Sequence, residues 1–263
     1  MSEPTLAPSA AAASSAPAAA ITESSTLAYL RELNSSGRIK AISIDLDDTL
    51  WPIWPIIAKA EDALLQWLRI HAPLTAEKLD DVATVRALRK EINVLRPDLA
   101  SDLSALRRES IRLALTRSGD DPSLAEPAFE VFFDARNQVE FFADALPALE
   151  FLAQRWPVVA LSNGNANVKT IGIDQHFKAS LSATGSGMAK PDARFFHVAA
   201  QALQVAPHEV LHIGDDALLD VRGAMEAGMH AVWLNRAGTS WIHGGQPPHV
   251  TVSSLAQLCE ALS

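Results

Sequence analysis

Cysteine is almost absent from this sequence. Among its 263 residues there is one, Cys259, so no disulfide can form within the chain. Chains that rely on disulfides are mostly secreted, whereas the cytoplasm keeps thiols reduced. The sequence therefore predicts a cytoplasmic protein.

Positive charge and long apolar runs are scarce as well. The chain carries 22 Lys and Arg against 31 Asp and Glu, a formal net charge of −9, and it has no basic tract. Nucleic acid and acidic membranes are therefore disfavoured as partners, and no apolar run is long enough to cross a membrane. An anionic substrate would have to be drawn in locally, by a metal ion and a lysine, against the field of the whole molecule.

Bulky residues are missing from the first part of the chain. Residues 2–25 are almost entirely Ala, Ser, Pro and Thr. Such a segment buries too little apolar surface to offset the entropy of ordering it, and it lacks the positive charge and Leu-rich run of a secretory signal. We predict a disordered tail over residues 1–36, with a short helical turn at Leu27–Leu33.

The later part of the chain alternates between strand and helix patterns. From residue 144 onward, short apolar runs are separated by helical periodicities. The predicted strands are Val158–Ser162, Leu181–Thr184, Val210–Ile213, Ala231–Leu234 and an edge strand at His249–Val252. This alternation predicts an α/β fold, a Rossmann-like parallel sheet with helices on both faces.

An all-helical insert is predicted before that region. Between Pro55 and Glu140, apolar residues recur every three or four positions and no strand pattern interrupts them. The two prolines of Trp51–Pro55 predict an irregular connector, whose Trp51 and Trp54 would pack in the core or stack on a flat substrate ring. We expect a core domain from residues 37–53 and 144–263, with an α-helical cap over residues 54–143.

The chemically richest stretch is Lys40–Leu50. Ala41–Ile44 has the apolar, β-branched pattern of a buried strand, and Asp45, Asp47 and Asp48 follow it. Three carboxylates this close repel one another unless water or a divalent cation surrounds them, and open α/β sheets bind ligands at the carboxyl ends of their strands. One interpretation is a magnesium site with a reactive carboxylate, and the ordinary alternative is an Asp-rich turn.

Three later motifs also follow predicted strands or begin helices. Ser162-Asn163-Gly164 offers a hydroxyl, an amide and a permissive backbone, although it is also an ordinary turn sequence. Lys190 stands before a helix that begins with proline, where anions are favoured, although most lysines are simply solvated. Gly214-Asp215-Asp216, with Asp220 further along, again places carboxylates at a strand end.

Together these motifs resemble the haloacid dehalogenase-like hydrolase superfamily. Its motifs are Asp-x-Asp-x-Thr, a Ser or Thr, a Lys, and Gly-Asp-x-x-x-x-Asp, in that order. Here they are matched by Asp45 to Thr49, Ser162, Lys190, and Gly214 to Asp220. The resemblance covers about residues 38–236 and implies that the helical insert is a cap of the C1 type.

The resemblance implies a role for each motif residue. Asp45 would be the nucleophile that takes the phosphoryl group, and Asp47 would be the general acid and base. Mg²⁺ would be held by the Asp45 carboxylate, the Asp47 backbone carbonyl and the Asp215 carboxylate. Lys190 would be catalytic, because it offsets negative charge between Asp45 and the transferred group.

The other motif residues would bind substrate or support these groups. Thr49 would fix the loop that carries Asp47. The waters and the lysine would be oriented by a second layer of carboxylates, Asp216 and Asp220. The phosphoryl oxygens would be bound by Lys190 together with Ser162, Asn163 and Gly164.

The resemblance also bears on the reaction and the substrate. Asp47 indicates phosphate chemistry, because superfamily members that cleave carbon–halogen bonds lack an acid there. The loops Ser162–Ala166, Gly185–Pro191 and His212–Asp216 resemble those of bacterial phosphatases acting on FMN and on 5-amino-6-(5-phospho-D-ribitylamino)uracil. The implied function is a Mg²⁺-dependent phosphomonoester hydrolase for a small phosphorylated metabolite. A sugar phosphate, a nucleotide or phosphoglycolate as substrate, and a non-enzymatic partner-binding relative, remain as alternatives, and nothing in the sequence indicates an oligomeric state.

Overall fold

A computed structural model of the chain describes residues 23–79 and 82–263, so the tail predicted for residues 1–22 lies outside the described residues. The first described element corrects the prediction for the segment that follows. Glu23–Ser35 is a helix of 13 residues (α1), rather than a disordered segment with a short helical turn. Leu30 and Leu33 are fully buried, so this helix is anchored on the folded core by apolar side chains one turn apart.

Among the described residues, six parallel strands form one sheet: Ala41–Ile44 (β1), Val158–Ser162 (β2), Ala179–Ser182 (β3), Val210–Gly214 (β4), His230–Leu234 (β5) and Val250–Val252 (β6). Their order in the sheet is β3-β2-β1-β4-β5-β6. This confirms the predicted α/β fold with a parallel sheet. The acidic motif that begins at Asp45 follows the central strand β1, which pairs with β2 on one side and with β4 on the other.

Helices cover both faces of the sheet, as predicted. After α1, the α-helices of the described residues are Ile53–His71 (α2), Pro73–Lys78 (α3), Val82–Leu95 (α4), Leu103–Ser118 (α5), Ala125–Arg136 (α6), Ala145–Ala153 (α7), Val168–Ile171 (α8), Ala183–Ser186 (α9), Ala193–Leu203 (α10), Gly223–Glu226 (α11) and Leu255–Leu262 (α12). One apolar cluster joins α1, α7 and α12 to one face of the sheet, and another joins α10 and α11 to the opposite face.

Helices α2–α6 form the predicted insert between β1 and β2, with an apolar core of their own. That core includes Leu64, Leu68, Phe129 and Phe132. The chain enters and leaves the insert at neighbouring points, because the Phe142 N–H donates a hydrogen bond of 2.9 Å to the Leu50 carbonyl. The boundaries at residues 54 and 143 stay predictions.

Helix α2 begins inside the stretch predicted to be an irregular connector. Pro52 is its N-cap and Pro55 lies in its first turn, where backbone N–H groups have no partner within the helix and proline is tolerated. The Asp48 carboxylate accepts a hydrogen bond of 2.9 Å from the Ile53 N–H and so replaces the missing cap. Trp51, just before the helix, is fully buried.

A second correction concerns the strand predicted at Leu181–Thr184. Strand β3 ends at Ser182, and the next four residues form the short helix α9. The apolar signal in this region is weak because β3 is only partly buried at the sheet edge. No helix of the described residues is both long and apolar enough to cross a membrane.

Candidate active site

The carboxyl ends of three neighbouring strands bring the sequence motifs together. Asp45 directly follows β1, and its N–H donates a hydrogen bond of 2.9 Å to the Ile213 carbonyl near the end of β4. Ser162 is the last residue of β2, and Asp215 directly follows β4. Because β1 lies between β2 and β4, all three motifs meet at one edge of the sheet, where open α/β sheets bind ligands.

Lys190 links two buried carboxylates at this edge. Its Nζ donates hydrogen bonds of 2.5 Å to Asp45 Oδ1 and of 2.5 Å to Asp220 Oδ1. Behind it, the His212 ring contacts Asp220 Oδ1 through Nε2 at 3.2 Å and the Ser43 hydroxyl through Nδ1 at 3.0 Å. One ammonium group therefore bonds two carboxylates, and the His212 ring contacts one of these two.

Burial controls the charges of these groups. Burial lowers the pKa of a lysine, but the carboxylates of Asp220 and Asp45 outweigh it and hold the pKa of Lys190 above its usual range. Burial likewise opposes ionisation of Asp220, yet Lys190 and His212 bring its pKa down to about 2. For Asp45, burial dominates over Lys190 and raises the pKa well above the usual range. The site therefore has less positive charge than its carboxylates require.

The carboxylates that lack enough compensating positive charge are suited to bind a divalent cation. One oxygen from each of Asp45, Asp215 and Asp220 lies within 4.8 Å of the other two. Burial, with the nearby Asp220 and Asp48 carboxylates, raises the pKa of Asp215 to about 7. Carboxylate oxygens are the ligands that Mg²⁺ prefers, so this donor set fits the predicted ion. Both oxygens of Asp220 already accept hydrogen bonds, Oδ1 from Lys190 and Oδ2 from the Asp216 N–H, which leaves Asp45 and Asp215 as the better placed ligands.

Three of the predicted site residues, Thr49, Asn163 and Asp216, lie near the site but make other contacts than those predicted for them. The Thr49 hydroxyl is fully buried and donates to Asp215 Oδ1 at 3.2 Å. The Asn163 side chain is occupied by the backbone of Lys190, with bonds of 2.7 Å and 2.9 Å. Asp216 caps the turn after β4 by accepting from two backbone N–H groups at 2.8 Å, so the lysine is oriented by Asp220 alone of this pair.

The loop after β2 leaves a narrow space beside Asp47. The Gly164 N–H donates to the Ser162 hydroxyl at 3.0 Å. A Cβ at Gly164 would lie 2.3 Å from Asp47 Oδ2, so only glycine fits under that carboxylate. Ser162 and Gly164 thus lie next to the predicted acid, where a phosphoryl group between Asp45 and Asp47 would be within their reach.

Asp47 itself is held by residues that the sequence analysis did not single out for this site. Arg136 Nη2, from the last turn of α6, donates to both Asp47 oxygens at 2.7 Å. The Trp51 indole N–H donates to Asp47 Oδ1 at 2.8 Å. Trp51 is therefore a buried hydrogen-bond donor to Asp47, whereas Trp54 is 73% exposed.

A sequence signal for Arg136 exists. Phe129, Phe132 and Arg136 fall on the buried face of α6, and a charged residue in phase with an apolar stripe needs a partner. His212 gave a weaker signal, as a histidine inside a buried strand just before Gly214. The sequence analysis did not connect it with Asp220.

A cavity of about 390 Å³ adjoins the site between the insert and the core. Its lining is apolar and cationic and includes Ile57, Arg89, Lys90, Arg107, Phe132 and Asn165. Asn165 connects it to the acid, because its Oδ1 accepts a hydrogen bond of 3.1 Å from Arg136 Nε.

Comparisons with known proteins agree with the motifs and the fold. A sequence model of haloacid dehalogenase-like hydrolases matches residues 39–228. The chain is 31% identical to the 5-amino-6-(5-phospho-D-ribitylamino)uracil phosphatase YigB of Escherichia coli, over 84% of this chain and 95% of that protein. It is 34% identical to a phosphoserine phosphatase of Thermus thermophilus, over 52% and 58% of the two chains. A crystal structure of a 2-haloacid dehalogenase from Pseudomonas syringae pv. Tomato superposes with a TM-score of 0.80 at 36% identity, covering 85% of this chain and 98% of the other.

The family match spans most of the chain and includes all four motifs. Phosphatases stand among its relatives, in agreement with the prediction of a phosphoric monoester hydrolase. The chain therefore belongs to the haloacid dehalogenase-like hydrolase family and is an enzyme of its phosphatase class.

Proposed function

We propose that the chain hydrolyses a small phosphorylated metabolite in a Mg²⁺-dependent reaction with Asp45 as nucleophile. The observation that carries the proposal is the position of Asp45 at the end of the central strand, bonded to Lys190 at 2.5 Å and beside Asp215. A buried carboxylate whose pKa is raised is a poor nucleophile unless positive charge keeps it ionised. Mg²⁺ bound by Asp45, Asp215 and the Asp47 backbone carbonyl would supply that charge and screen the phosphoryl oxygens.

The chain's own residues then account for two half-reactions. In the first, an Asp45 oxygen attacks phosphorus, the ester P–O bond breaks, and Asp47 gives a proton to the leaving oxygen. In the second, water attacks the aspartyl-phosphate, Asp47 accepts its proton, and inorganic phosphate departs with Asp45 restored. Lys190 and the Ser162–Gly164 loop would hold the phosphoryl oxygens throughout.

The substrate that we favour belongs to flavin metabolism. The support is the 31% identical relative, whose name gives 5-amino-6-(5-phospho-D-ribitylamino)uracil as its substrate. The cavity beside Asn165 is large enough for a ring, and Arg89 and Arg107 would donate hydrogen bonds to ring carbonyl oxygens. FMN presents similar carbonyls, so both compounds are candidates.

The experiment is a phosphate-release screen of the purified chain with Mg²⁺. The panel contains both flavin-pathway compounds, sugar phosphates, nucleotides, phosphoglycolate and phosphoserine. We expect turnover that a chelator abolishes and that Asp45→Asn abolishes with an unchanged circular dichroism spectrum, because the substitution is nearly isosteric. Turnover that survives Asp45→Asn or excess chelator would contradict the proposed mechanism.

A second candidate is cleavage of carbon–halogen bonds, because a solved relative at 36% identity is titled a 2-haloacid dehalogenase. The acid Asp47, unnecessary for a halide leaving group, favours the phosphatase. Chloride release from 2-chloropropionate, measured on the same preparation, separates the two candidates.

A further inference from the structure

Arg136 is a buried cation at the boundary between the insert and the core. It ends α6, which runs from the insert back toward the sheet, and it is 1% exposed. Its Nη2 donates to both oxygens of Asp47 at 2.7 Å, across 89 positions of sequence. Through these hydrogen bonds the insert contacts the proposed acid directly.

The surroundings of Arg136 fix its guanidinium. Its Nε donates to Asn165 Oδ1 at 3.1 Å, and the Asn165 amide donates in turn to the Ser104 hydroxyl of α5 at 3.1 Å. Two elements of the insert and the loop after β2 therefore hold one side chain in place. A guanidinium held in this way presents Nη2 to Asp47 in a defined direction, which a flexible lysine would not.

Stability alone does not explain an arginine at this position. Its Nη1 is buried and has no hydrogen-bond partner among the described residues, and an unpaired buried donor costs folding free energy. Phe129 and Phe132 precede it on the same face of α6, where another apolar residue would pack without that cost. The benefit must therefore come from what Arg136 does to Asp47.

A carboxylate whose two oxygens both accept hydrogen bonds from one fixed guanidinium nitrogen is held in one orientation. The Trp51 indole N–H donates to the same carboxylate from a second direction. Arg136 therefore helps to decide the direction in which the proposed acid faces a leaving oxygen or a water molecule.

We propose that Arg136 is a positioning residue that acts through Asp47, an inference that rests on the proposed function. Arg136 holds the Asp47 carboxylate in its orientation over Gly164, so that the insert aligns the proposed acid with the leaving oxygen and with the attacking water.

The test combines two leaving groups with a double-mutant cycle. Arg136→Met, Asp47→Asn and the double variant are assayed on p-nitrophenyl phosphate and on the best alkyl phosphate from the screen. Loss of orientation is expected to lower kcat on the alkyl ester by roughly 10²-fold, and by much less on p-nitrophenyl phosphate, whose leaving group needs little protonation. The double variant should be no slower than Asp47→Asn alone, and Arg136→Lys should restore part of the loss.

Arg112→Met is the matched control, because Arg112 pairs with Glu126 between α5 and α6 in an exposed position. It should leave kcat unchanged. The inference is overturned if Arg136→Met behaves like this control or lowers kcat equally for both leaving groups. It is also overturned if the losses of kcat in Arg136→Met and Asp47→Asn multiply in the double variant. Where Arg136→Met fails to fold by circular dichroism, Arg136→Lys carries the same comparison with a smaller expected loss.

The outcomes also separate this inference from the proposed function. A wild-type chain that releases no phosphate from any ester, or an Asp45→Asn variant with full activity, rejects the proposed function. An active wild type with an impaired Asp47→Asn variant and a normal Arg136→Met variant rejects the positioning role alone.

Discussion

Gly164 is the single residue at which the smallest change should have the clearest effect. An added Cβ would lie 2.3 Å from Asp47 Oδ2, 3.2 Å from the Ser162 hydroxyl oxygen and 3.4 Å from Arg136 Nη2. Asp47 has to move to relieve this contact, whereas the backbone at Gly164 does not need a positive φ. The strain therefore falls on the proposed acid rather than on the fold.

We predict that Gly164→Ala lowers kcat by about 10²-fold, because a displacement near 1 Å at a reacting group has that effect. The melting temperature should change little. Steady-state kinetics and thermal unfolding of the same preparation check this. Gly172→Ala is a useful contrast, since it introduces a strained positive φ with no contact within 4 Å, and it should lower stability while sparing kcat.

Among the elements, α1 makes a contact that depends on pH. The Tyr29 hydroxyl lies 3.0 Å from His230 Nδ1 at the start of β5, and the Tyr29 ring stacks on His249. Burial, with the neighbouring His249 and Arg38, lowers the pKa of His230 from 6.5 to about 4. Between these values the unfolded chain binds a proton that the folded chain does not.

Since the folded-state pKa is the lower one, the contribution of His230 is fully present above pH 6.5 and is lost as the pH falls toward 4. The free energy of unfolding of the wild type should therefore decline relative to that of His230→Gln across this window. Urea unfolding at several pH values measures the difference, in which contributions shared by the two chains cancel. The variant His243→Gln, at an exposed position, is the control. If the free energy of unfolding of the wild type declines equally relative to this control, the decline does not come from His230.

Elements with local sequence signals were predicted well, and contacts between distant segments were not. Strand β1 and its acidic end were visible because strand pattern and motif are adjacent in sequence. Helix α1 was predicted only as a short turn at Leu27–Leu33 because the Ala- and Ser-rich segment before it has no helical periodicity, whereas the helix runs from Glu23 to Ser35. The start of α2 was missed because its cap comes from Asp48, five positions away.

The candidate site shows the same division. Motif resemblance indicated Asp45, Ser162, Lys190 and Asp215 as neighbours, and the structure brings them to one sheet edge. The phase of Arg136 with the apolar face of α6 indicates that it needs a partner, but it could not indicate that this partner is Asp47, 89 positions away. The roles of these residues stay predictions until the variants are assayed.

For the whole molecule, the net charge of −9 opposes the approach of an anionic substrate. The cavity beside the site has Arg89, Lys90 and Arg107 in its lining, and it keeps a local excess of positive charge although Glu61 pairs with both arginines. At about 0.01 M salt the field extends some 30 Å and the whole molecule dominates, whereas at about 0.1 M it extends some 10 Å and the local cations dominate.

We therefore predict that kcat/KM for a dianionic phosphate ester rises several-fold as the ionic strength increases from about 0.01 M to about 0.1 M. Rates measured at constant Mg²⁺ activity check this. The binding of a singly charged phosphodiester, measured over the same range of ionic strength, is the reference. A steady fall of kcat/KM over the same range would mean that the local cations already govern the encounter at low salt.

The bond between the Phe142 N–H and the Leu50 carbonyl has an evolutionary consequence. Because the insert leaves the sheet and returns to it at one place, a gene could exchange this whole segment by recombination at two points without disturbing any strand. The catalytic machinery would be inherited intact while the preference for one metabolite over another changed. Arg136 limits that freedom, since a replacement segment would have to bring its own cation to Asp47 or do without one.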